Sequence, residues 1–205
     1  MKKSVLLASA LAINALPATA EMPPQAAVCV SCHQANGLGI PNLAPSISGM
    51  PAPYLTAQLQ HFKSGERNNA IMQPMAMMLD DAGIKATSEW FASLPVELPD
   101  APAFRGQKPP QDMTGGEKLA YLGDWQRDLP SCVACHGPEG VGVGVGEAFP
   151  RLAGQHTDYI ESQLKAWQAG TRSGDTHGLM ASVANKLTAE EITAVASYFA
   201  SVGAK

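Results

Sequence analysis

Cys-x-x-Cys-His occurs twice in this 205-residue chain, as Cys29-Val30-Ser31-Cys32-His33 and as Cys132-Val133-Ala134-Cys135-His136. The two copies use all four cysteines. On one turn of helix, thiols at i and i+3 share a face. There they can add to the two vinyl groups of a haem, and the histidine that follows lies beneath the porphyrin, within reach of the iron. This spacing with its trailing histidine is the signature of c-type haem attachment. Two copies predict two covalently bound haem c groups, held by Cys29, Cys32, Cys132 and Cys135, with His33 and His136 each giving one axial iron ligand. Cys-x-x-Cys alone also serves redox disulfides, zinc half-sites and structural bridges. Those readings leave both histidines unexplained.

The surroundings of the motif repeat with it. The two motifs are offset by 103 positions (132 minus 29). Further on, Pro45-Ser46-Ile47-Ser48-Gly49 matches Pro150-Arg151-Leu152-Ala153-Gly154. Tyr54, Gln58, Leu59, Gly65 and Arg67 match Tyr159, Gln163, Leu164, Gly170 and Arg172, all offset by 105. Later still, Met72 and Leu79 match Met180 and Leu187 at an offset of 108. Short loop insertions account for the drift, so the chain is an internal duplication.

Between the halves, Pro95, Pro99, Pro102, Pro109 and Pro110 exclude a regular helix and read as a semi-extended linker. The expected organisation is residues 21–94 as a first domain, 95–112 as linker and 113–205 as a second domain. Each half is small enough to need its haem as part of the apolar core. The local pattern is all-α with long loops. Thr188-Ala189-Glu190-Glu191 is a capping box, opening a helix whose Ile192, Val195, Ala196 and Phe199 recur at helical spacing. Asp80 is the corresponding cap in the first half, followed by Ile84, Thr87, Ser88 and Phe91. Tyr54–Lys63 and Tyr159–Ala169 read as helices ending near Gly65 and Gly170. Gly115–Gln126 reads as a helix leading into the second motif. Only eight residues separate position 20 from Cys29, so its counterpart in the first half is truncated. Gly140 to Gly146 alternates glycine with valine, but it follows no strand and lacks the Lys and Ser/Thr of a phosphate loop. It reads as a flexible loop beside the second haem.

Electron-transfer haem irons commonly take methionine as a second axial ligand. After the second motif there is a single methionine, Met180, and its repeat partner is Met72. Met75, Met77 and Met78 align with Val183, Asn185 and Lys186, with Met75 the next candidate. His177 competes with Met180 but falls in a three-residue insertion with no counterpart in the first half, and reads as a surface loop residue. His61 and His156 are not equivalent in the repeat; both read as solvent-facing or capping histidines.

Residues 1–20 have the form of a cleavable export signal: Lys2 and Lys3, an apolar run from Val5 to Leu16, and Ala18-Thr19-Ala20 as a small-residue cleavage site. The run is too short to span a bilayer. The expected location is the periplasm. Loss of the leader leaves 12 basic against 18 acidic side chains, a net charge of about −6. That balance excludes a nucleic-acid binder, which needs a basic face, and leaves peripheral membrane association open.

Taken together, Cys132-Val133-Ala134-Cys135-His136-Gly137-Pro138, then Phe149-Pro150-Arg151-Leu152-Ala153-Gly154-Gln155, Tyr159, Gln163-Leu164, Gly170 and Met180 resemble the dihaem cytochrome c4 family. The resemblance covers nearly all of the chain after residue 20. It implies two tandem class I cytochrome c-like domains, each with His/Met ligation, and an electron carrier rather than an enzyme. It implies that the carbonyls of Pro45 and Pro150 accept hydrogen bonds from the axial histidines, and that Tyr54, Tyr159, Arg67 and Arg172 lie near haem edges or propionates. The implied partners are redox proteins: a respiratory complex or dehydrogenase as donor, a haem–copper terminal oxidase as acceptor. Two other readings share the motifs, the cytochrome subunit of a periplasmic dehydrogenase such as a flavocytochrome sulfide dehydrogenase, and a dihaem peroxidase. The peroxidase needs an iron with an open position, which a methionine in each half argues against. The first half departs from the pattern in having Ser48 where the second has Ala153, and in its nearly absent first helix.

Overall fold

The structure, a computed structural model, describes residues 21–96, 110–143 and 149–203. The expected leader (1–20), most of the proline-rich linker and part of the Gly-Val loop lie outside the described residues. The first lobe opens with a 3-10 turn, Pro24–Val28, followed by helices α1 (Val30–His33), α2 (Ala52–Ser64), α3 (Met72–Met77) and α4 (Asp81–Ser93). The second has α5 (Gly115–Leu122), α6 (Val133–His136), α7 (Thr157–Gln168), α8 (Leu179–Ala184) and α9 (Ala189–Ser201). Among the described residues there is no strand, only isolated bridges, and no helix long and apolar enough to cross a membrane.

The helix ends follow local chemistry. Asp80 caps α4 by accepting from the Gly83 N–H at 2.7 Å. Thr188 and Glu191 form the reciprocal capping box of α9. Helix α2 stops at Gly65, which adopts a left-handed φ of 83° that disfavours side-chain-bearing residues. Helix α4 buries Ile84, Thr87, Ser88 and Phe91, and α9 buries Ile192, Val195, Ala196 and Phe199, the two sets expected from the repeat. Each lies against the preceding long helix, α2 or α7.

The lobes differ at their first helix. In the second, α5 crosses α9 closely enough that a Cβ on Gly116 would collide with the Ala194 carbonyl. In the first, the 3-10 turn Pro24–Val28 sits against α4 instead, with Ala26 fully buried. The helix expected over Gly115–Gln126 ends early, at Leu122. Gly123 takes φ 65°, and Asp124 and Leu129 pair through two backbone hydrogen bonds of 2.8 and 2.9 Å around a separate turn, Trp125–Arg127.

The lobes join through a polar seam related by the repeat. Arg67 and Arg172 form an antiparallel bridge, flanked by Asn68 N–H to Thr171 O (2.9 Å) and Ser173 N–H to Glu66 O (2.6 Å). His61 sits in this seam rather than facing solvent. It is half-buried, with its ring against Gly174 of the other lobe, where a Cβ would fall 2.9 Å from the ring. His156 occupies the N-cap position of α7, but its side chain makes no capping bond.

Candidate haem centres

Each Cys-x-x-Cys-His segment folds as a short helix, α1 or α6, ending on its histidine. His33 and His136 are both buried. His33 Nδ1 lies 3.0 Å from the Pro45 carbonyl and His136 Nδ1 2.8 Å from the Pro150 carbonyl. A carbonyl only accepts, so each Nδ1 carries the proton and each Nε2 keeps its lone pair. Burial lowers the pKa of both histidines, the Pro45 and Pro150 carbonyls partly opposing it; the Arg172 cation adds to the fall at His136. Both rings are thereby held neutral, the form that ligates a metal.

The loops behind the histidines repeat the same scaffold. Gly39 N–H donates to His33 O and Gly142 N–H to His136 O, at 2.9 and 2.7 Å. The Gly37 carbonyl accepts from Ile47 and Ser48, and the Gly140 carbonyl from Leu152 and Ala153. These contacts fix each proline carbonyl over its histidine. Gly39 has φ 72°, and a Cβ there would strike the Ala44 and Pro45 carbonyls, so only glycine fits.

A cavity of about 410 Å³, walled mainly by the second lobe and closed by Met50, Tyr54 and His61 of the first, brings together Cys132, Cys135, His136 and Met180 with Ile160, Leu164 and Phe199. His177 is exposed and does not line it. Two donors on its wall, Arg151 Nε and Trp167 Nε1, are buried with no hydrogen-bond partner among the described residues. An apolar chamber with paired thiols, the imidazoles of His136 and His61, the thioethers of Met180 and Met50, and buried N–H donors fits a haem with its carboxylates. Burial pushes the Cys132 thiol up to about 11 and also raises Cys29, the reverse of the lowered pKa of a redox-active dithiol.

Two residues that sequence reasoning passed over anchor the methionines. Met180 N–H and Ala181 N–H donate to Asp175 Oδ2 at 2.7 and 3.2 Å. In the first lobe Met72 N–H and Ile71 N–H donate to Asn69 Oδ1 at 2.8 and 3.0 Å. A small polar residue three to five positions before the methionine was the available signal. Met72 and Met75 are half-buried, while Met77 and Met78 are 60% and 68% exposed.

The arginine–tyrosine set meets at the seam. Arg67 donates to Gln58 of its own lobe (2.8 Å) and to Tyr159 and Gln163 of the other (2.6 Å each). Arg172 mirrors it, donating to Gln163 (2.9 Å), Gln58 (3.0 Å) and Tyr54 (3.4 Å). Burial raises the Tyr159 phenol, but the Arg67 and Arg172 guanidiniums outweigh it and hold its pKa below the ordinary tyrosine value. Tyr54, Tyr159 and Arg172 line the cavity that holds Cys132, Cys135 and His136.

A family model described as cytochrome c matches residues 25–95 and again residues 126–203. A thiosulfate dehydrogenase electron acceptor from Thiomonas intermedia (strain K12) is 44% identical over 188 residues, covering 91% of this chain and 84% of that protein. The crystal structure of reduced recombinant cytochrome c4 from Pseudomonas stutzeri superposes with a TM-score of 0.72 at 32% identity, covering 87% of this chain and 95% of that one. The thiosulfate dehydrogenase (TsdBA) of Marichromatium purpuratum gives the same TM-score at 42% identity over 84% of this chain; the match spans 36% of that chain, about a third of its length.

Proposed function

Since the chain belongs to the cytochrome c family, as a tandem dihaem protein of the cytochrome c4 kind that carries electrons, we propose that it is the periplasmic electron acceptor of a thiosulfate-oxidising dehydrogenase. The observation that carries this reading is the 44% identity, over nearly the full length of both chains, to a thiosulfate dehydrogenase electron acceptor. The cytochrome c4 structure stands at 32%. A location outside the cytoplasm rests on the form of residues 1–20.

Two haem c groups are bound covalently, one per Cys-x-x-Cys-His motif, and they supply reversible one-electron chemistry. In our reading Cys29 and Cys32 hold the first group, and Cys132 and Cys135 the second. His33 with Met72, and His136 with Met180, would ligate the two irons. The Pro45 and Pro150 carbonyls keep each imidazole in the tautomer that presents Nε2, and orient the ring. Asn69 and Asp175 hold the methionine-bearing turns. Leu164, Phe199 and Ile160 keep water from the second site. A scaffold that holds its ligands through both oxidation states keeps reorganisation small, which suits a carrier.

The test is to mix the haem-loaded protein with a purified thiosulfate dehydrogenase and thiosulfate, and to follow reduction by its visible spectrum. Reduction much faster than that of a cytochrome c4 under the same conditions is expected. Equal rates for the two would favour the second reading, a carrier from a respiratory complex to a terminal oxidase, which the near-complete coverage of the cytochrome c4 structure supports.

A further inference from the structure

Two side chains of the second lobe, Arg151 and Gln155, reach the histidine scaffold of the first, and Gln155 does so at the peptide that His33 bonds. Ser46 N–H donates to Gln155 Oε1 at 3.0 Å, and Gln155 Nε2 donates to Ser46 O at 2.8 Å. Gln155 Oε1 also accepts from His156 N–H at 3.0 Å, which fixes the orientation of the amide. Gln155 is 2% exposed and Ser46 3%, so water does not compete with these bonds. The N–H that Gln155 engages belongs to the Pro45–Ser46 peptide. The carbonyl of that same peptide accepts from His33 Nδ1. The chain of contacts therefore runs from Gln155 through one peptide unit to His33.

Hydrogen bonds in series polarise one another, and low local dielectric strengthens the effect. A peptide whose N–H is engaged shifts electron density onto its carbonyl oxygen. The Pro45 carbonyl then draws more strongly on the His33 Nδ1 proton and makes Nε2 a better donor to a ferric iron.

The repeat does not return the contact. Gly154 matches Gly49, so Gln155 matches Met50. Met50 is buried in the first lobe's own core and has no amide to offer the Pro150–Arg151 peptide. The asymmetry singles out one haem.

We propose that Gln155 is a cross-lobe positioning residue for the first haem site, polarising the Pro45–Ser46 peptide so that docking of the second lobe lowers the potential of the first haem. This rests on His33 as an iron ligand. The test is a spectroelectrochemical titration of the haem-loaded full chain carrying Gln155→Met, which gives the position its repeat counterpart. The second haem's wave is identified by its displacement in Met180→Ala. The first haem's potential is expected to rise by about 40 mV, a roughly fivefold change in its oxidised-to-reduced ratio at about 59 mV per tenfold for one electron. The second should stay in place. Gln155→Glu keeps an acceptor for the Ser46 N–H and should hold the first potential at or below its starting value.

Asp158→Ala serves as the control for a loosened seam. It removes the bond from Asn42 N–H to Asp158 Oδ2 (2.9 Å) without touching the Pro45–Ser46 peptide, and both potentials should be unchanged. An unmoved first potential in Gln155→Met, or an equal rise in Asp158→Ala, overturns the proposal. A separate failure is recognisable: if His33→Ala leaves the first haem's low-spin spectrum intact, the ligand assignment falls first, and the link through Gln155 with it.

Discussion

Met180 is the second residue of α8, and its backbone N–H is tied to the Asp175 carboxylate rather than to the helix itself. That bond satisfies a donor that a helix start leaves free and sets where the thioether points. Met180→Ala should abolish the weak near-infrared thioether band of one haem and leave the other's intact. A spectrum unchanged by the substitution would give the ligand role to another group, His177 first. Asp175→Ala keeps the thioether but frees the turn by about 1 kcal/mol, the usual worth of such a cap. The band of the second haem should then fade at a lower temperature in a thermal scan, with the first unaffected. Asn69→Ala should do the converse. If neither variant changes the fading temperature, the turn is held by packing and not by these side chains.

At the scale of the element, α9 is the best specified helix. Its capping box is completed by Arg127, which donates to both Glu191 oxygens at 3.1 and 2.6 Å, and it buries four side chains against α5 and α7. Thr188→Ala should cost about 1 kcal/mol in a thermal or denaturant melt. The Arg127 bond holds the Glu191 carboxyl below its ordinary value of 4.5. A depressed folded pKa means the stabilisation is complete above 4.5 and is lost as pH falls through the folded value. The gap in melting temperature between the parent and Glu191→Gln should therefore close below pH 4.5; a constant gap would show that Glu191 acts only through packing. Elements of this kind were legible in the sequence because their signals are local: Thr188 with Glu191, Asp80, and the stop at Gly65. The helix expected over Gly115–Gln126 ran too long because amphipathic spacing continued past Gly123, whose left-handed conformation depends on the Asp124–Leu129 pairing.

The whole molecule is two copies of one haem scaffold closed on a polar seam. The attachment motifs and the pairing of Met72 with Met180 were readable because duplication doubles every signal and aligns it, whereas the two proline carbonyls came from the family resemblance. The seam was not. Arg67 to Tyr159 and Gln155 to Ser46 join residues about a hundred positions apart, and no periodicity encodes such a pairing. His61 looked like a surface residue for the same reason, since Gly174 of the other lobe lies against its ring. The seam also breaks the symmetry that the repeat suggests: Gln155 and Arg151 reach the first lobe's Ser46, whereas their counterparts are Met50 and Ser46 itself. Each lobe is assigned one haem and two iron ligands, so haem content and spin state together test the account most directly. The measurement is an optical spectrum of the purified protein, oxidised and reduced, with haem quantified per chain and carbon monoxide added to the reduced form. Two low-spin haems per chain, with the thioether band when oxidised and no carbon monoxide complex, is the expected result. One haem per chain, or a high-spin component that binds carbon monoxide, would contradict a carrier with both irons fully ligated.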